Sequence, residues 1–404
     1  MKKYWKTLLI SLIIVMTIGT YYIQQAMAKG ASFKIETTSG YKVEIDNLIL
    51  QARYQSGNSY RRLNISKDGS TNQNSSFIGE LIGRNNPLMF QKYIQDYRNF
   101  IRGKVLNPGQ YFEDEDRLIY TTFKSNGRNK GLGNFFTLQI DTLDKKTNDS
   151  SSFEINMPDQ VRYDWINEHD VYVENGKIKI LAISYLNGEE ELHIYTVDEN
   201  KKELEHDLML AKLESEEIGQ ASISILNNNN KFSNENYFLY LVEKYKYPDN
   251  GDRETISSEI YLYNYLNNEV KELTIPVELK PHVKSMILHG TDILIPVRSA
   301  NGLVLKRYNI ETKQWEEHLH FKYPGITNED DDDELFSQIT DGKLYLVNRT
   351  SDGHLLFIGD VRTGESLYEG KIINENKENR AADTSLFIEQ IYNNIQLIEE
   401  HTFK

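Results

Sequence analysis

Five times between residues 137 and 360, an apolar run of strand-like residues ends on Asp or Asn and passes through a polar turn into another such run. Runs 137–141, 193–198, 260–264, 305–309 and 356–360 end on Asp141, Asp198, Asn264, Asn309 and Asp360, which lie 57, 66, 45 and 51 positions apart. Upstream of each sits a second strand-like run, at 117–123, 177–184, 237–245, 292–298 and 343–349. Asp and Asn suit strand exits because their side chains bond nearby backbone amides and tolerate turn geometry. A short antiparallel unit of this kind cannot bury both of its faces alone. Recurring every 40–60 residues, it stacks on its neighbours around an axis, so the pattern predicts a β-propeller.

Further strand-like sequence lies at 33–82 and at 386–402, the latter as two runs around a Tyr392-Asn-Asn turn. Pairing these ends would close a ring of six or seven blades, six being the simpler count. The expected fold class is all-β, a β-propeller filling residues 33–404. An irregular array of β-sandwiches is the alternative. The period-two alternation of 41–45, 177–181 and 343–347 predicts strands with one buried face. One stretch departs from it. Phe90, Tyr93, Ile94, Tyr97, Phe100 and Ile101 have helical spacing, and Asn86, Pro87 and Gly103 suit its cap, first position and stop. The spacing predicts a helical insertion over 87–102.

The chain's first 28 residues read as a membrane-targeting segment. Lys2, Lys3 and Lys6 precede an uncharged apolar run, 7–23, with Tyr4 and Trp5 at one end and Tyr21 and Tyr22 at the other. Aromatic residues at both ends suit a helix that stays in the bilayer, with the basic flank on the cytoplasmic side. From Trp5 to Tyr22 such a helix spans about 25 Å, slightly under a hydrocarbon core. Ala26-Met27-Ala28 also fits a signal-peptidase site, so secretion after cleavage at Ala28 is the competing reading. The run is longer than an ordinary signal-peptide core, which favours a transmembrane anchor over residues 4–23. A buried core helix would not carry the basic flank. The expected location is the cell membrane, single-pass, with the body outside.

The formal charge of −14 repels phosphate backbones and argues against nucleic acid as a partner. No cysteine occurs, which excludes disulfides, thiolate metal sites, a thiol nucleophile and a lipidated N-terminal cysteine. In its repeat pattern, over roughly 111–373, the body resembles the membrane-anchored extracytoplasmic propellers of Gram-positive bacteria. The better-defined propeller signatures are absent. Asp164-Trp165 reverses the Trp-Asp pair, no kelch-type Gly-Gly occurs, and 66–69 and 350–353 place Gly directly after Asp, unlike the sialidase box. The resemblance implies an architecture and no catalytic residue.

No phosphate loop, nucleophile elbow or His-Glu-x-x-His pair occurs, and no catalytic residue or cofactor is expected. The six-acid run Glu329, Asp330, Asp331, Asp332, Asp333, Glu334 offers oxygen ligands for calcium but lacks the alternating spacing and glycine of a wrapping loop. A solvated loop accounts for it better. His318 and His320 fall on the polar face of a strand whose apolar face carries Trp315, Leu319 and Phe321. They read as exposed histidines rather than zinc ligands. The tyrosines crowded at 237–265 suit packing between blades. The turn-rich 247–252, with Tyr247, Asp249, Asn250 and Asp252, is a candidate partner contact.

The expectation is a non-catalytic, membrane-tethered extracytoplasmic protein, serving as a binding, accessory or sensor component for a membrane or envelope protein. An envelope polysaccharide hydrolase or lyase is the alternative, because abundant carboxylates would allow an acid pair. If the acidic run is a solvated loop, the melting temperature is the same with calcium as with chelator. A rise with calcium would instead make it a metal site.

Overall fold

The computed structural model describes residues 5, 9–12, 16, 19, 32–56, 59–72, 87–129, 133–158, 163–213, 220–226, 235–247, 253–299, 302–316, 318–323, 335–350, 353–375 and 386–393. Among them the chain is mainly antiparallel β-structure in six sheets, a β-propeller fold. It begins with β1 (Phe33–Gly40), and the first sheet takes β2 (Ile49–Ser56), β3 (Ser59–Ser66) and β4 (Gly69–Asn72). The second holds β5 (Tyr111–Glu113), β6 (Arg117–Asn129), β7 (Gly133–Asp144) and β8 (Ser150–Asn156). The third holds β9 (Trp165–Glu174), β10 (Lys177–Leu186), β11 (Glu189–Asp198) and β12 (Glu203–Leu213). The fourth follows with β13 (Gln220–Ile225), β14 (Tyr237–Lys246), β15 (Glu254–Asn264) and β16 (Glu269–Glu272). The fifth contains β17 (Ile287–His289), β18 (Asp292–Ser299), β19 (Gly302–Asn309), β20 (Gln314–Trp315) and β21 (Leu319–Lys322). The sixth contains β22 (Leu335–Thr340), β23 (Lys343–Thr350), β24 (Gly353–Asp360) and β25 (Ser366–Asn374), and β26 (Leu386–Tyr392) ends the described chain.

Each sheet buries its two faces against its two neighbours. One apolar cluster joins the second and third sheets, another the third and fourth, and others the fourth and fifth and the fifth and sixth. First strands of neighbouring sheets approach one another, β5 to β9, β17 to β22 and β22 to β26, which puts them on the inside of the ring. Between the first and second sheets the seam holds helices instead. Leu88 packs on Ile49 and Tyr392, while Phe90, Phe100 and Ile101 pack on Tyr111, Leu118 and Tyr120.

That insertion is two helices, α1 (Leu88–Asp96) and α2 (Arg98–Ile101), rather than the single helix over 87–102 that the spacing predicts. Pro87 is extended at φ −52°, ψ 140° and stands before the first turn, and Tyr97 breaks the run at φ −128°, ψ 42°. The break re-aims the second segment, so Phe100 and Ile101 reach the second sheet with Phe90. Gly103, at φ +81°, stops it as expected. Residues 42–45, expected as a strand, form a 3-10 helix, because the chain must turn there from β1 in one sheet to β2 in the next.

The repeated Asp/Asn exits form one kind of turn. In each, the amide four residues on bonds back to the exit residue's carbonyl: Asn148 to Asp144, Lys202 to Asp198, Asn268 to Asn264, Lys313 to Asn309 and Gly364 to Asp360, at 2.8–2.9 Å. The donor residue always has positive φ, 61°, 57°, 59°, 59° and 76° in turn. The exit side chain accepts from amides two or three positions on, as Asp360 does from Arg362 and Thr363 at 2.8 Å. In the second sheet the turn residue is therefore Asp144, whose side chain bonds the amides of Lys146 and Thr147, and not Asp141. Asp141 is buried and binds Lys104 at 2.7 Å, fastening the exit of the helical insertion to its sheet.

Closure uses the first and last described strands. β26 pairs antiparallel with β2, from Ile49 opposite Tyr392 to Tyr54 opposite Leu386, and so supplies the inner strand of the first sheet. β1 pairs with β25 and becomes a fifth strand on the sixth. One cluster results, in which Phe33 and Ile35 of β1 and Leu386 and Ile391 of β26 pack with Leu50, Tyr54, Tyr345, Val347 and Tyr368. Gln338 of β22 fixes β26 from the side away from its ladder. Its Nε2 donates to the Ile391 carbonyl at 2.7 Å and its Oε1 accepts from the Ile391 amide at 2.9 Å, with only 2% of the residue exposed. The second C-terminal run and residues 73–86 lie outside the described residues.

Replacing Gln338 by Leu leaves a buried amide and a buried carbonyl without partners, each costing about 1–3 kcal/mol. We expect Gln338→Leu to lose about 2–4 kcal/mol in urea denaturation, and Gln338→Glu to restore part of the loss at low pH.

Candidate functional site

Strand direction alternates within each sheet, so the ring has two unlike faces. First-to-second and third-to-fourth strand turns share one, here called the turn face, and it carries the repeated Asp/Asn turns. Connections between second and third strands, and those between sheets other than the link from β1 to β2, share the other, the loop face. Ser32, the first residue before β1, lies at the loop face, where its carbonyl accepts from the Glu375 amide at 2.7 Å.

A cleft of about 200 Å³ opens on the loop face at the closing seam. Leu335, Phe336 and Val347 line one wall, Leu386, Phe387 and Ile388 the other, and Arg349 and His354 supply the polar groups. Each element reaches it for a local reason. β22 and β26 start there, β23 ends there and β24 begins there, so four strand ends of alternating hydrophobicity present their loop-face residues together.

His354 is 4% exposed, and its Nε2 lies 3.1 Å from the Leu386 carbonyl. A carbonyl only accepts, so Nε2 carries the hydrogen. Burial drives its pKa down to about 4, and the nearby Arg349 guanidinium adds to the effect. The imidazole is therefore neutral at pH 7 and serves as a fixed donor to β26. Apolar walls with one guanidinium and one neutral imidazole suit an apolar side chain or acyl group flanked by a polar handle. The described lining contains no carboxylate.

A second cleft, about 440 Å³, lies on the turn face between the fifth and sixth sheets. Its charges are largely engaged within the fold. Arg307 binds Asp292 at 2.7 Å and Glu316 at 3.2 Å, and Lys343 pairs with Glu44. Asp360 is committed to its turn.

Of the residues singled out from sequence, Glu329, Asp330, Asp331, Asp332, Asp333, Glu334, Asp249, Asn250 and Asp252 lie outside the described residues. Tyr247 is described and 55% exposed, edge-on to Tyr245, over which Arg253 sits at 3.7 Å. Tyr240, Tyr263 and Tyr265 are buried between the third and fourth sheets, as tyrosines packing between blades should be. The two histidines do not share a regular strand. A one-residue bulge between β20 and β21 reverses the alternation, so Trp315 packs toward the fourth sheet while Leu319 and Phe321 pack toward the sixth. His318 is half-buried and His320 exposed. Among the described residues no group of three or more His, Asp or Glu is arranged to hold a metal ion.

Two polar networks escaped the sequence reading, because strands distant in sequence build them. In the first, His193 Nδ1 lies 2.6 Å from Asp207, its Nε2 lies 3.2 Å from Glu191, and the Tyr163 hydroxyl donates to Glu191 at 2.6 Å. Burial alone would lower the His193 pKa, but the two carboxylates outweigh it and raise it. With His193 only 4% exposed, the network locks β11 to β12 and to the start of β9. In the second, a bulge in β9 places Glu168 against Ala182 and Asp170 against Leu181, so these acids leave the strand on opposite faces. Glu168 accepts from the Phe123 amide in the second sheet, and Asp170 accepts from the Tyr265 hydroxyl in the fourth. Burial pushes Asp170 up to about 6. Gly109 makes the bulge accessible to its neighbour, since a Cβ there would stand 2.7 Å from the Glu168 carbonyl oxygen.

No protein-family model matches the chain, and no curated protein matches it. Solved structures similar to it include TolB from Acinetobacter baumannii, at 14% identity and TM-score 0.33 over 82% of this chain. The chain spans 65% of that structure's length. The β-propeller domain of the Trilobed protease from Pyrococcus furiosus is similar at 14% identity and TM-score 0.32, over 86% of each chain. The Synechocystis apocarotenoid oxygenase is similar at 7% identity and TM-score 0.39, over 85% of this chain and 96% of that one. At these values the propeller fold rests on the strand topology itself.

Because the folded pKa of His354 lies below its unfolded value of 6.5, its neutral state stabilises the fold above pH 6.5, and that contribution is lost as pH falls toward about 4. The full loss is on the order of 3 kcal/mol. His354→Gln keeps a donor but does not titrate. Urea denaturation at pH 7 and pH 4.5 is expected to show a smaller drop for the variant than for the parent, while His193 and His169 contribute equally to both.

Proposed function

We propose that this chain is a membrane-tethered, extracytoplasmic propeller of six blades that acts without catalysis, as a binding or accessory subunit for a membrane or envelope protein. Each of the six sheets is read as one blade, the first closed by β26. The anchor is the apolar run within residues 4–23. Of that segment only residues 5, 9–12, 16 and 19 are described, and no helix among the described residues is long and apolar enough to cross a membrane. Trp5, Leu9, Ile10, Leu12 and Met16 are all at least 46% exposed, which fits a segment that does not pack into the body.

The observation that carries the proposal is the closing-seam cleft. It opens on the same face as Ser32, so the binding surface and the tether share one side. Apolar walls around Phe387, which is 46% exposed, suit an inserted aliphatic or aromatic side chain from a partner. The neutral imidazole holds β26 in place and leaves no buried charge for the guest to neutralise. A polysaccharide lyase or hydrolase would need an acid and a base beside the substrate, and the described walls of this cleft contribute Arg349 and a weakly basic His354.

The test is site-specific photocrosslinking in intact cells. With the photoreactive residue at Phe387, a discrete protein adduct is expected. At Lys146, on the turn face, the yield should fall at least about tenfold, because that surface carries solvated charges. Adducts to bulk wall material alone at both positions would overturn the proposal.

A further inference from the structure

Four of the five exposed aromatic side chains of the described body stand at the loop face: Tyr60, Trp165, Tyr247 and Phe387, each between 46% and 59% exposed. Tyr60 is the second residue of β3, Trp165 the first of β9, Phe387 the second of β26, and Tyr247 directly follows β14. Tyr41 is the fifth and lies at the turn face. The four are distributed over three sheets around the ring, and three are backed by a second group. Trp165 is edge-on to Tyr185 at 4.9 Å, Arg53 lies 5.0 Å from the Tyr60 ring, and Tyr247 rests on the Tyr245–Arg253 pair.

Chain length adds a second constraint. Eight residues, 24–31, separate the apolar run from Ser32, so even fully extended they hold Ser32 within about 30 Å of its end. The second and third strands of every sheet are at least eight residues long, so the turn face lies about 30 Å beyond the loop face. A leash of that length attached at the loop face brings that face to the bilayer and leaves the turn face in solution. Indole and phenol rings are the side chains that settle at a membrane–water boundary, since one edge is apolar and the other accepts or donates hydrogen bonds.

We infer that the loop face rests on the lipid surface, with Trp165, Phe387, Tyr60 and Tyr247 in the headgroup region and the closing-seam cleft turned toward the bilayer. This rests on the tethered reading above, and it narrows the partner. A protein that fills the cleft must itself present a segment at the membrane surface. The body matches neutral, zwitterionic headgroups rather than anionic ones, which the net charge of the chain, −14 in all and carried wholly outside the first 28 residues, would repel.

The chain has three tryptophans, Trp5, Trp165 and Trp315, and they make the test internally controlled. Full-length protein carrying two Trp→Phe substitutions, so that one indole remains, is reconstituted in phosphatidylcholine vesicles with brominated acyl chains. Trp5 reports the tether, Trp165 the loop face, and Trp315, half-buried between the fourth and fifth sheets, the interior. Strong quenching of Trp5, loss of about a third of Trp165 emission with a blue shift, and no change at Trp315 are expected. Quenching of Trp5 with Trp165 as silent as Trp315 would overturn the inference while leaving the tether in place, and a protein would then cover that face. Silence of both Trp5 and Trp165 would overturn the inference together with the tethered reading. Because Trp165 is exposed, Trp165→Phe leaves folding intact, and the circular dichroism of each variant confirms it.

Discussion

A ring whose sheets each used only consecutive strands would have no covalent thread across its last seam; here the first and last described strands cross the seam between the first and sixth sheets. β26 would be an edge strand facing the axis if the β2 ladder alone held it. Gln338 bonds both backbone groups of Ile391 from the opposite side, and His354 bonds the carbonyl of Leu386. β1 adds its own ladder to β25 on the outside of the sixth sheet. The seam is thus fastened at its inner and outer radii, and the cluster between them draws on strands from both ends of the described chain. Because contacts this far apart in sequence form late and carry a large loop-closure cost, the rest of the ring depends on them for cooperativity.

The remaining seams are held by different means. Between the first and second sheets two short helices fill the space where sheet would otherwise meet sheet, and Asp141 with Lys104 pins their exit. Around β9, buried acids tie the third sheet to both neighbours. Glu168 and Asp170 are costly to bury as carboxylates, and burial raises the pKa of each. Their bonds to the Phe123 amide and the Tyr265 hydroxyl give that cost a return in register, because neither acid can move without leaving a polar group unpaired. The fold also keeps its two faces chemically apart, with charged, hydrogen-bonded turns on one side and exposed aromatics with an apolar cleft on the other.

Fold class and repeat are legible in the order of residues alone. The paired apolar runs identified the second and third strands of the last five sheets, and the recurring Asp and Asn at strand exits marked the turns, since their chemistry acts within four residues of chain. The turn at Asp144 could be confused with Asp141 because both follow apolar residues in the same strand. Only the hydrogen bonds to Lys146 and Thr147 on one side and to Lys104 on the other separate them.

Features built from residues far apart emerge only in the folded ring. The cleft combines residues 335–354 with 386–388, the His193 network combines 163 with 191–207, and the bulges that reversed the faces of Trp315 and Glu168 exist only in register with a partner strand. His354 illustrates the difference. In the sequence it is one histidine among nine; in the fold, burial under β26 makes it a neutral donor at the seam. Local chemistry is written in neighbouring residues, whereas burial, pairing and the choice of face come into being only when the ring closes.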